Sequence, residues 1–411
     1  MKVSVVNLGC KVNRVESDTI AAAYLQNGST LCDTSQADLI IVNTCTVTEE
    51  ADKKTRKTIR RVLRDNTHAC VLVTGCAAVI EPGFYESLDS RITVVDKHDL
   101  LEQSTHGIEN LKDHPLLRVG INFPTRVGVK VQDGCNHSCT YCIVHVARGK
   151  AWSRSPELIR NEILLLAQQG VKEIVLSGID LGSYSYKEQN NGSPNRISLA
   201  TLLKSILEDL DKANLTEARL RISSIEPRSL SDEVICLLAQ SHGRICRHLH
   251  LPLQSGSTRV LKEMNRPYTA QDYLELTTKL HDVVESISLT TDIIVGFPGE
   301  TDEDFQQTYN LAQKIGFTKI HVFRYSKRKG TPAALRSDQV DAQRKEERAH
   351  ALIALSDQMR KEYLDKNKNR LERVVVEQLG WGMSESYYKM HLDPAIPAGS
   401  VVDLPLRHCA E

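Results

Sequence analysis

No stretch of this 411-residue chain approaches the ~20 consecutive apolar residues that a membrane-spanning helix needs. The N-terminus shows no basic segment followed by an apolar run and a small-residue cleavage site, the pattern of an export signal. A cytoplasmic protein with no membrane partner is the expectation. Neither sign of charge dominates, since Lys plus Arg and Asp plus Glu each total 52. Net charge therefore gives no argument for a nucleic-acid partner, and any such argument must be local. With 41% hydrophobic and 25% charged residues the composition is that of an ordinary soluble protein, long enough for roughly two to four domains. Cysteine is what the chain has in excess. Eleven thiols in a reducing compartment serve metals or catalysis more often than disulfides.

Three of these cysteines end apolar runs of one kind: VSVVNLGC stops at Cys10, DLIIVNTC at Cys45 and VLVTGC at Cys76. Helical patterns separate them. The first starts near Ser17, carries Ile20, Ala21, Tyr24 and Leu25 on one side and stops at Asn27 and Gly28. The second presents Ala51, Thr55, Ile59 and Leu63, after Thr46 and Glu49 at capping-box spacing. Continuous apolar runs joined by helices predict a parallel sheet covered on both faces, so the three strands point the same way. Their C-terminal ends then share the edge at which open α/β sheets bind ligands. At least two of the thiols also lie near helix N-termini, which favour thiolates and an anionic cluster. The alternative is that three small apolar residues simply end three strands as core.

A second triad lies in DGCNHSCTYC, where Cys135, Cys139 and Cys142 have C-x3-C-x2-C spacing. Thiolates on one tight loop can face one metal centre, and soft sulfur ligands select zinc or iron–sulfur clusters. A 4Fe-4S cluster normally takes four cysteines. Three leave one iron open to a ligand that is not protein. Zinc is the competing reading, because His137 inside the loop would complete a Cys3His site.

Beyond that loop, strand and helix patterns alternate. Candidate strands are residues 126–132, 172–178, 219–224, 247–253, 289–297 and 319–325. Ser155 with Pro156 opens a helix that Gly170 closes, and Thr301 with Asp304 opens another that Gly316 closes. Six βα units predict a parallel barrel or part of one, with its working face at the C-terminal ends of the strands. Ser177, Ser224, Glu226 and Gln254 would surround that mouth, although structural capping accounts for any one of them equally well.

Local charge supplies the nucleic-acid argument. Seven basic residues fall among the twelve from Lys53 to Arg64, and RYSKRKGTPAALR adds a cluster after the last barrel strand. Such helices are often only solvated faces, but these flank the proposed mouth, where phosphate contact is the attractive role. A charged helical stretch from Asp341 to about Arg370 leads to a segment with alternating apolar residues, Gly/Pro turns and the exposed-looking Trp381, Tyr387 and Tyr388. That pattern predicts a small β-barrel with a base-stacking face, or alternatively a packing or dimerisation module.

Taken in order, LGCKVN, VNTCTVTEEADKKTRKTIR, VTGC, KVQDGCNHSCTYCIVHVARG, EIVLSGIDLGSY, ISSIEP, HLPLQSGSTRVLKEMNRPYT and TDIIVGFPGET resemble the radical S-adenosylmethionine methylthiotransferases over essentially the whole chain. The resemblance implies an α/β protein in four parts. These are an N-terminal parallel α/β cluster domain (1–112), a partial (β/α)6 radical SAM barrel (121–340), a helical linker (341–370) and a short TRAM-like β-barrel that binds RNA (371–411). It implies two 4Fe-4S clusters, one held by Cys135, Cys139 and Cys142 and binding S-adenosylmethionine, the other held by Cys10, Cys45 and Cys76. Tyr141, Gly178, Ser224, Gln254 and Phe323 are the implied S-adenosylmethionine contacts, and no conventional acid or base is implied. LGCKVN is similar to the branch acting on N6-threonylcarbamoyladenosine at position 37 of the tRNA anticodon loop. Related branches act on isopentenyladenosine or on a ribosomal-protein aspartate. Lys53, Lys54, Arg56, Trp381 and Tyr387 are the candidate RNA contacts, and a reducing electron carrier and a sulfur donor are further implied partners. An iron–sulfur or zinc RNA-binding protein without radical chemistry is the reading from another class.

Overall fold

The structure is a computed structural model, and it describes residues 1–46, 48–97, 99–100, 118–188, 195–378 and 380–409. The domain boundary expected at residue 112 lies outside the described residues. Strands Lys2–Asn7, Leu39–Thr44 and Cys70–Gly75 run side by side and parallel, with the short strands Thr30–Leu31 and Ile92–Val94 at the edges. Both faces of the sheet are covered, as continuous apolar runs require. Ile40, Val42 and Val73 pack with Ile59 and Val62 of the helix Glu49–Asp65. Val3 and Ile41 pack on the other face with Ile20 of the helix Lys11–Gln26.

Two helix starts differ from expectation. The first helix begins at Lys11, directly after Cys10, and not near Ser17. Ser17 lies inside the helix, where its hydroxyl accepts a hydrogen bond from the Asn43 amide at 3.1 Å. The second helix is capped by Thr48, whose hydroxyl accepts from the Ala51 N–H at 3.1 Å, and not by Thr46.

All six barrel strands are present, at Arg126–Lys130, Glu173–Ser177, Arg219–Ile222, His248–His250, Ser288–Val295 and Lys319–Arg324. They form two parallel groups of three. Single parallel bridges, Leu220 to Ile245 and Ser224 to His250, join the groups. Among the described residues no pairing connects the first strand to the last, so the wall is an open crescent. Val127, Val129, Ile174, Leu176, Leu220, Ile222 and Leu249 join the outer helices in the main core. Strand alternation leaves Arg126, Glu173, Ser177, Arg219, Arg221 and His248 facing inward. The expected helix signals hold: Ser155 precedes the helix Pro156–Gln168, and Thr301 and Asp304 form a reciprocal capping box that ends at a left-handed Gly316, φ 74°.

The helix Lys11–Gln26 lies against the first barrel strand and reaches the second. At Gly128 a Cβ would stand 2.3 Å from Val15 Cγ2, so glycine is what allows this helix to lie against the first barrel strand. A long helix, Ala342–Asn367, packs on the last strand, where Ser356 Oγ accepts from the Ile320 N–H at 2.9 Å. It leads into a four-stranded antiparallel sheet of Leu371–Gln378, Trp381–Ser384, Lys389–His391 and Val401–Pro405. One antiparallel bridge joins Met390 of the edge strand Lys389–His391 to Cys409, which follows the other edge strand.

Candidate active site

The loop after the first barrel strand turns at Gly134, φ 72°, where a Cβ would fall 2.1 Å from the Lys150 carbonyl oxygen. Only glycine fits there. The turn delivers Cys135, Cys139 and Cys142 to the wall of one cavity of about 300 Å³. Each sulfur has a donor. Cys139 Sγ accepts from Arg266 Nη1 at 3.2 Å, Cys135 Sγ from the His137 N–H at 3.4 Å, and Cys142 Sγ from the Val144 N–H at 3.4 Å. Burial pushes the Cys142 thiol up to about 11 and raises Cys135 as well, so ligation by these groups releases protons. The His137 ring turns away from the sulfurs to meet Asp180 Oδ2 at 3.1 Å, and this contact raises its pKa. Among the described residues no three ligating side chains converge on a point that one ion could occupy. His137 is thus engaged by Asp180, and three thiols on one loop are a soft donor set that suits an iron–sulfur cluster.

Tyr141, Ser224, Gln254 and Phe323 line this cavity with the cysteines. Gly178 is not on the lining. A Cβ there would lie 2.9 Å from Gln132 Oε1, which accepts the N–H groups of Ile179 and Asp180, both at 2.9 Å. Gly178 thus shapes the turn that brings Ile179 and Asp180 to the wall. Gln254 has φ 65°, an uncommon conformation for a residue with a side chain. Backbone bonds on both sides hold it, to Asp292 O at 2.8 Å and from Ile294 N at 2.9 Å. Asp180 Oδ1 and Glu226 Oε1 are buried on this wall with no protein partner. Such acceptors fit the ammonium and hydroxyl groups of a bound S-adenosylmethionine. Asp180, Arg266 and Asp292 also line the cavity with nothing local in the sequence to mark them, and Arg328 reaches it from the basic cluster after the last barrel strand.

The N-terminal triad is assembled by three strand ends. Cys10 caps the helix Lys11–Gln26, Cys45 follows Leu39–Thr44, and Cys76 opens the helix Cys76–Ile80 after Gly75, φ 91°. Cys45 and Cys76 are buried and Cys10 is exposed. Burial pushes Cys76 up to about 11, Arg148 opposing and the neighbouring Cys10 and Cys45 adding to the rise. Arg148 comes from the other triad's own segment, the helix Val144–Arg148 that follows Cys142. Its Nη2 donates to Asn13 Oδ1 at 2.9 Å, and that oxygen accepts from Cys10 Sγ at 3.1 Å. Its Nη1 donates to Glu16 Oε1 at 3.0 Å and to Asp133 Oδ1 at 2.9 Å. One buried guanidinium therefore ties the two cysteine triads together.

Residues 129–312 match the Radical SAM superfamily, and residues 2–97 match a family described as uncharacterized protein family UPF0004. The threonylcarbamoyladenosine tRNA methylthiotransferase MtaB of Bacillus subtilis is 39% identical over 90% of this chain and 84% of its own length. The chain belongs to the radical S-adenosylmethionine tRNA methylthiotransferase family. The protein of the same name from Thermotoga maritima is 35% identical over 94% of the chain and 90% of its own length. A tRNA-2-methylthio-N6-dimethylallyladenosine synthase from Acetivibrio thermocellus is also 35% identical, over 90% and 79%. Among solved structures, the radical S-adenosylmethionine methyltransferase TsrM of Kitasatospora setae shares the fold, with a TM-score of 0.58 and 16% identity over 81% of this chain and 77% of that one. This methylthiotransferase is thus a radical enzyme that uses S-adenosylmethionine and 4Fe-4S clusters. No helix among its described residues is long and apolar enough to cross a membrane.

The candidate RNA contacts of the methylthiotransferase separate into groups. Lys53 pairs with Glu49 at 2.8 Å, and Arg56 pairs with Glu81 at 3.2 Å while lying 4.3 Å from the Phe84 ring centroid. Lys54, Lys57, Arg60 and Arg61 are exposed on the same helix. Trp381 is half-buried, its Nε1 donating to Gln378 Oε1 at 3.0 Å and Lys389 lying over the ring. Tyr387 and Tyr388 do not stand on an exposed stacking face as expected. Tyr388 is buried in parallel stacking with Tyr363, with ring centroids 5.6 Å apart. Tyr387, at φ 67°, points into the crescent and stacks on His248 at 4.7 Å, with Lys11, Arg126 and Arg221 around its ring. The left-handed turn redirects it.

Proposed function

We propose that this enzyme inserts a methylthio group at C2 of N6-threonylcarbamoyladenosine 37 in the tRNA anticodon loop. The observation that carries the reading is the pairing of two three-cysteine sets, linked through Arg148 and Asn13. Three protein ligands per cluster leave one iron open on each side. Cys135, Cys139 and Cys142 hold the cluster that binds S-adenosylmethionine, which when bound and reduced supplies a 5′-deoxyadenosyl radical. Cys10, Cys45 and Cys76 hold the cluster that carries the sulfur to be transferred. Tyr141, Ser224, Gln254 and Phe323 surround the S-adenosylmethionine, Gly178 shapes the adjoining turn, and Asp180 and Glu226 accept its hydrogen bonds. Arg266 keeps a positive charge on Cys139 while bonded to Glu226. The exposed cations of the helix Glu49–Asp65, with Trp381, take the RNA. An electron carrier of the cytoplasm supplies the reducing equivalent, and a sulfur donor reloads the N-terminal cluster.

Nucleoside mass spectrometry of tRNA from cells with and without the chain tests the substrate. Loss of the methylthio group from threonylcarbamoyladenosine is expected. Loss from dimethylallyladenosine alone would overturn the assignment. The anaerobically reconstituted protein should hold about eight irons per chain, four for each cluster; stoichiometric zinc with negligible iron would end the reading. Neutralising Lys53 and Lys54 together should flatten the salt dependence of tRNA binding, by roughly 0.7 to 0.9 in log-log slope for each phosphate that is no longer neutralised. An unchanged slope would remove this helix from the RNA interface. Arg56→Gln is a poorer probe, since it also breaks the bonds to Glu81 and Phe84.

A further inference from the structure

We propose that Arg328 reads the carboxylate of the threonylcarbamoyl group, and so selects this nucleoside over one with an uncharged N6 substituent. The inference rests on the substrate reading above and deepens it. Arg328 follows the last barrel strand and is 8% exposed. It lines the cysteine cavity on one side and, on the other, a groove of about 190 Å³ that also touches Thr46 and Ala77. Those two residues directly follow Cys45 and Cys76. Arg328 therefore stands where the barrel cavity meets the N-terminal triad, the place that an adenine must reach to encounter both.

The bonding of Arg328 is half complete. Its Nη1 donates to Asp52, on the basic helix of the N-terminal domain. Its Nε and Nη2 are buried with no protein partner. A buried charged donor without an acceptor is costly. The idle pair, Nε with Nη2, is the guanidinium edge that meets a carboxylate through two parallel bonds. The other cations of the cavity are engaged differently. Arg266 is held by Glu226 and Cys139, and Arg324 is exposed and lies 3.9 Å from Glu346. The threonyl carboxylate is ionised at neutral pH and would complete Arg328. A dimethylallyl group is hydrocarbon and would leave it unsatisfied while Asp52 holds it in place.

The methionine part of S-adenosylmethionine also carries a carboxylate, so the experiment must separate the two sources. The probes are two anticodon stem-loop RNAs, one with threonylcarbamoyladenosine at position 37 and one with the threonyl carboxyl converted to its amide. Dissociation constants are measured with the full chain, and kcat/KM with the reconstituted enzyme. Wild type should favour the acid over the amide by about 10- to 100-fold, the range for hydrogen bonds to a charged group. In Arg328→Gln the acid-to-amide ratio should fall to near one, and in Arg328→Lys to an intermediate value. Arg324→Gln should keep the wild-type ratio. Because each ratio is internal to one variant, a general loss of folding or loading cancels.

The proposal is overturned if Arg328→Gln retains the wild-type ratio, or if Arg324→Gln rather than Arg328→Gln removes it. It is equally overturned if Arg328→Gln raises only the KM for S-adenosylmethionine, since the carboxylate is then the cofactor's. Wild type that modifies the acid RNA yet shows no preference over the amide sinks Arg328 alone. Wild type that ignores the acid RNA and modifies a dimethylallyl RNA sinks the substrate reading, and this proposal with it.

Discussion

Alanine at Cys10, Cys45 or Cys76 is expected to abolish methylthio formation while S-adenosylmethionine is still cleaved to 5′-deoxyadenosine. The two triads lie on different elements, and only Cys135, Cys139 and Cys142 share the cavity with Tyr141, Ser224 and Gln254. Replacing one of those three should stop both reactions. Iron content should fall toward about four per chain when either cluster is lost, so it reports that one cluster is missing while the cleavage assay tells which. The N-terminal changes are also gentle on the fold. Cys10 is exposed, and Asn13 Oδ1 keeps its bond from Arg148 when the Cys10 thiol is removed. Cys45 and Cys76 are buried but small, and alanine removes only one sulfur atom from each. Chromatography of 5′-deoxyadenosine and mass spectrometry of the RNA check the outcome. An N-terminal variant that still thiomethylates RNA at the normal rate would show that the three strand ends have another purpose.

What the sequence made legible was whatever depends on local pattern. Runs such as DLIIVNTC are short, rich in β-branched residues and separated by helical patterns, which suits two-sided buried strands, and their common direction and shared edge at Cys10, Cys45 and Cys76 follow from the length of the connections. The Thr301 and Asp304 capping box is a local signal and stands where expected. The start of the first helix was not legible, because Cys10 offers no side-chain cap bond and Val12 and Val15 bury against other parts of the molecule. Val15 meets Gly128, more than a hundred residues away. The place of Arg148, and that of Arg328 within its basic cluster, is not legible for the same reason. Each is defined by partners in another domain, Glu16 and Asn13 for one and Asp52 for the other. Tyr387 was misread because an aromatic in a polar turn looks exposed, until a positive φ aims it inward.

Glu173→Gln should be among the most destabilising single substitutions in the chain, and its consequence reaches the C-terminal sheet. The carboxylate of Glu173 is fully buried and accepts from Arg219 Nε at 2.8 Å, Arg221 Nε at 2.6 Å and Arg126 Nη1 at 3.4 Å. Arg219 and Arg221 are themselves buried, and they donate onward to the carbonyl oxygens of Arg373, Met383, Ser384 and Glu385. The C-terminal sheet is thereby fixed across the inside of the crescent. Glutamine keeps the shape and removes the charge, leaving buried guanidiniums without their counter-ion, a defect worth about 3 to 5 kcal/mol. Burial alone would raise the Glu173 pKa, but Arg221 and Arg219 more than reverse this and hold it far below the ordinary carboxylate range. A depressed carboxylate contributes stability that is complete above its unfolded pKa, about 4.3, and that fades as pH falls toward its folded value. Wild type should therefore lose stability on acidification below about pH 4 more steeply than Glu173→Gln. Urea unfolding at pH 7 and across the acid range measures both effects; a difference at pH 7 under about 1 kcal/mol would mean that the arginines find other partners. The same bonds change how a truncation at residue 371 is interpreted. Removing the sheet strips Arg219 and Arg221 of their carbonyl acceptors, so weakened RNA binding in the truncated chain would report a loosened barrel as readily as a missing RNA surface. Trp381→Ala in the full chain is the cleaner probe, since the contacts of that ring among the described residues, with Gln378 and Lys389, lie within its own sheet and stacking on a base would be worth about 1 to 3 kcal/mol.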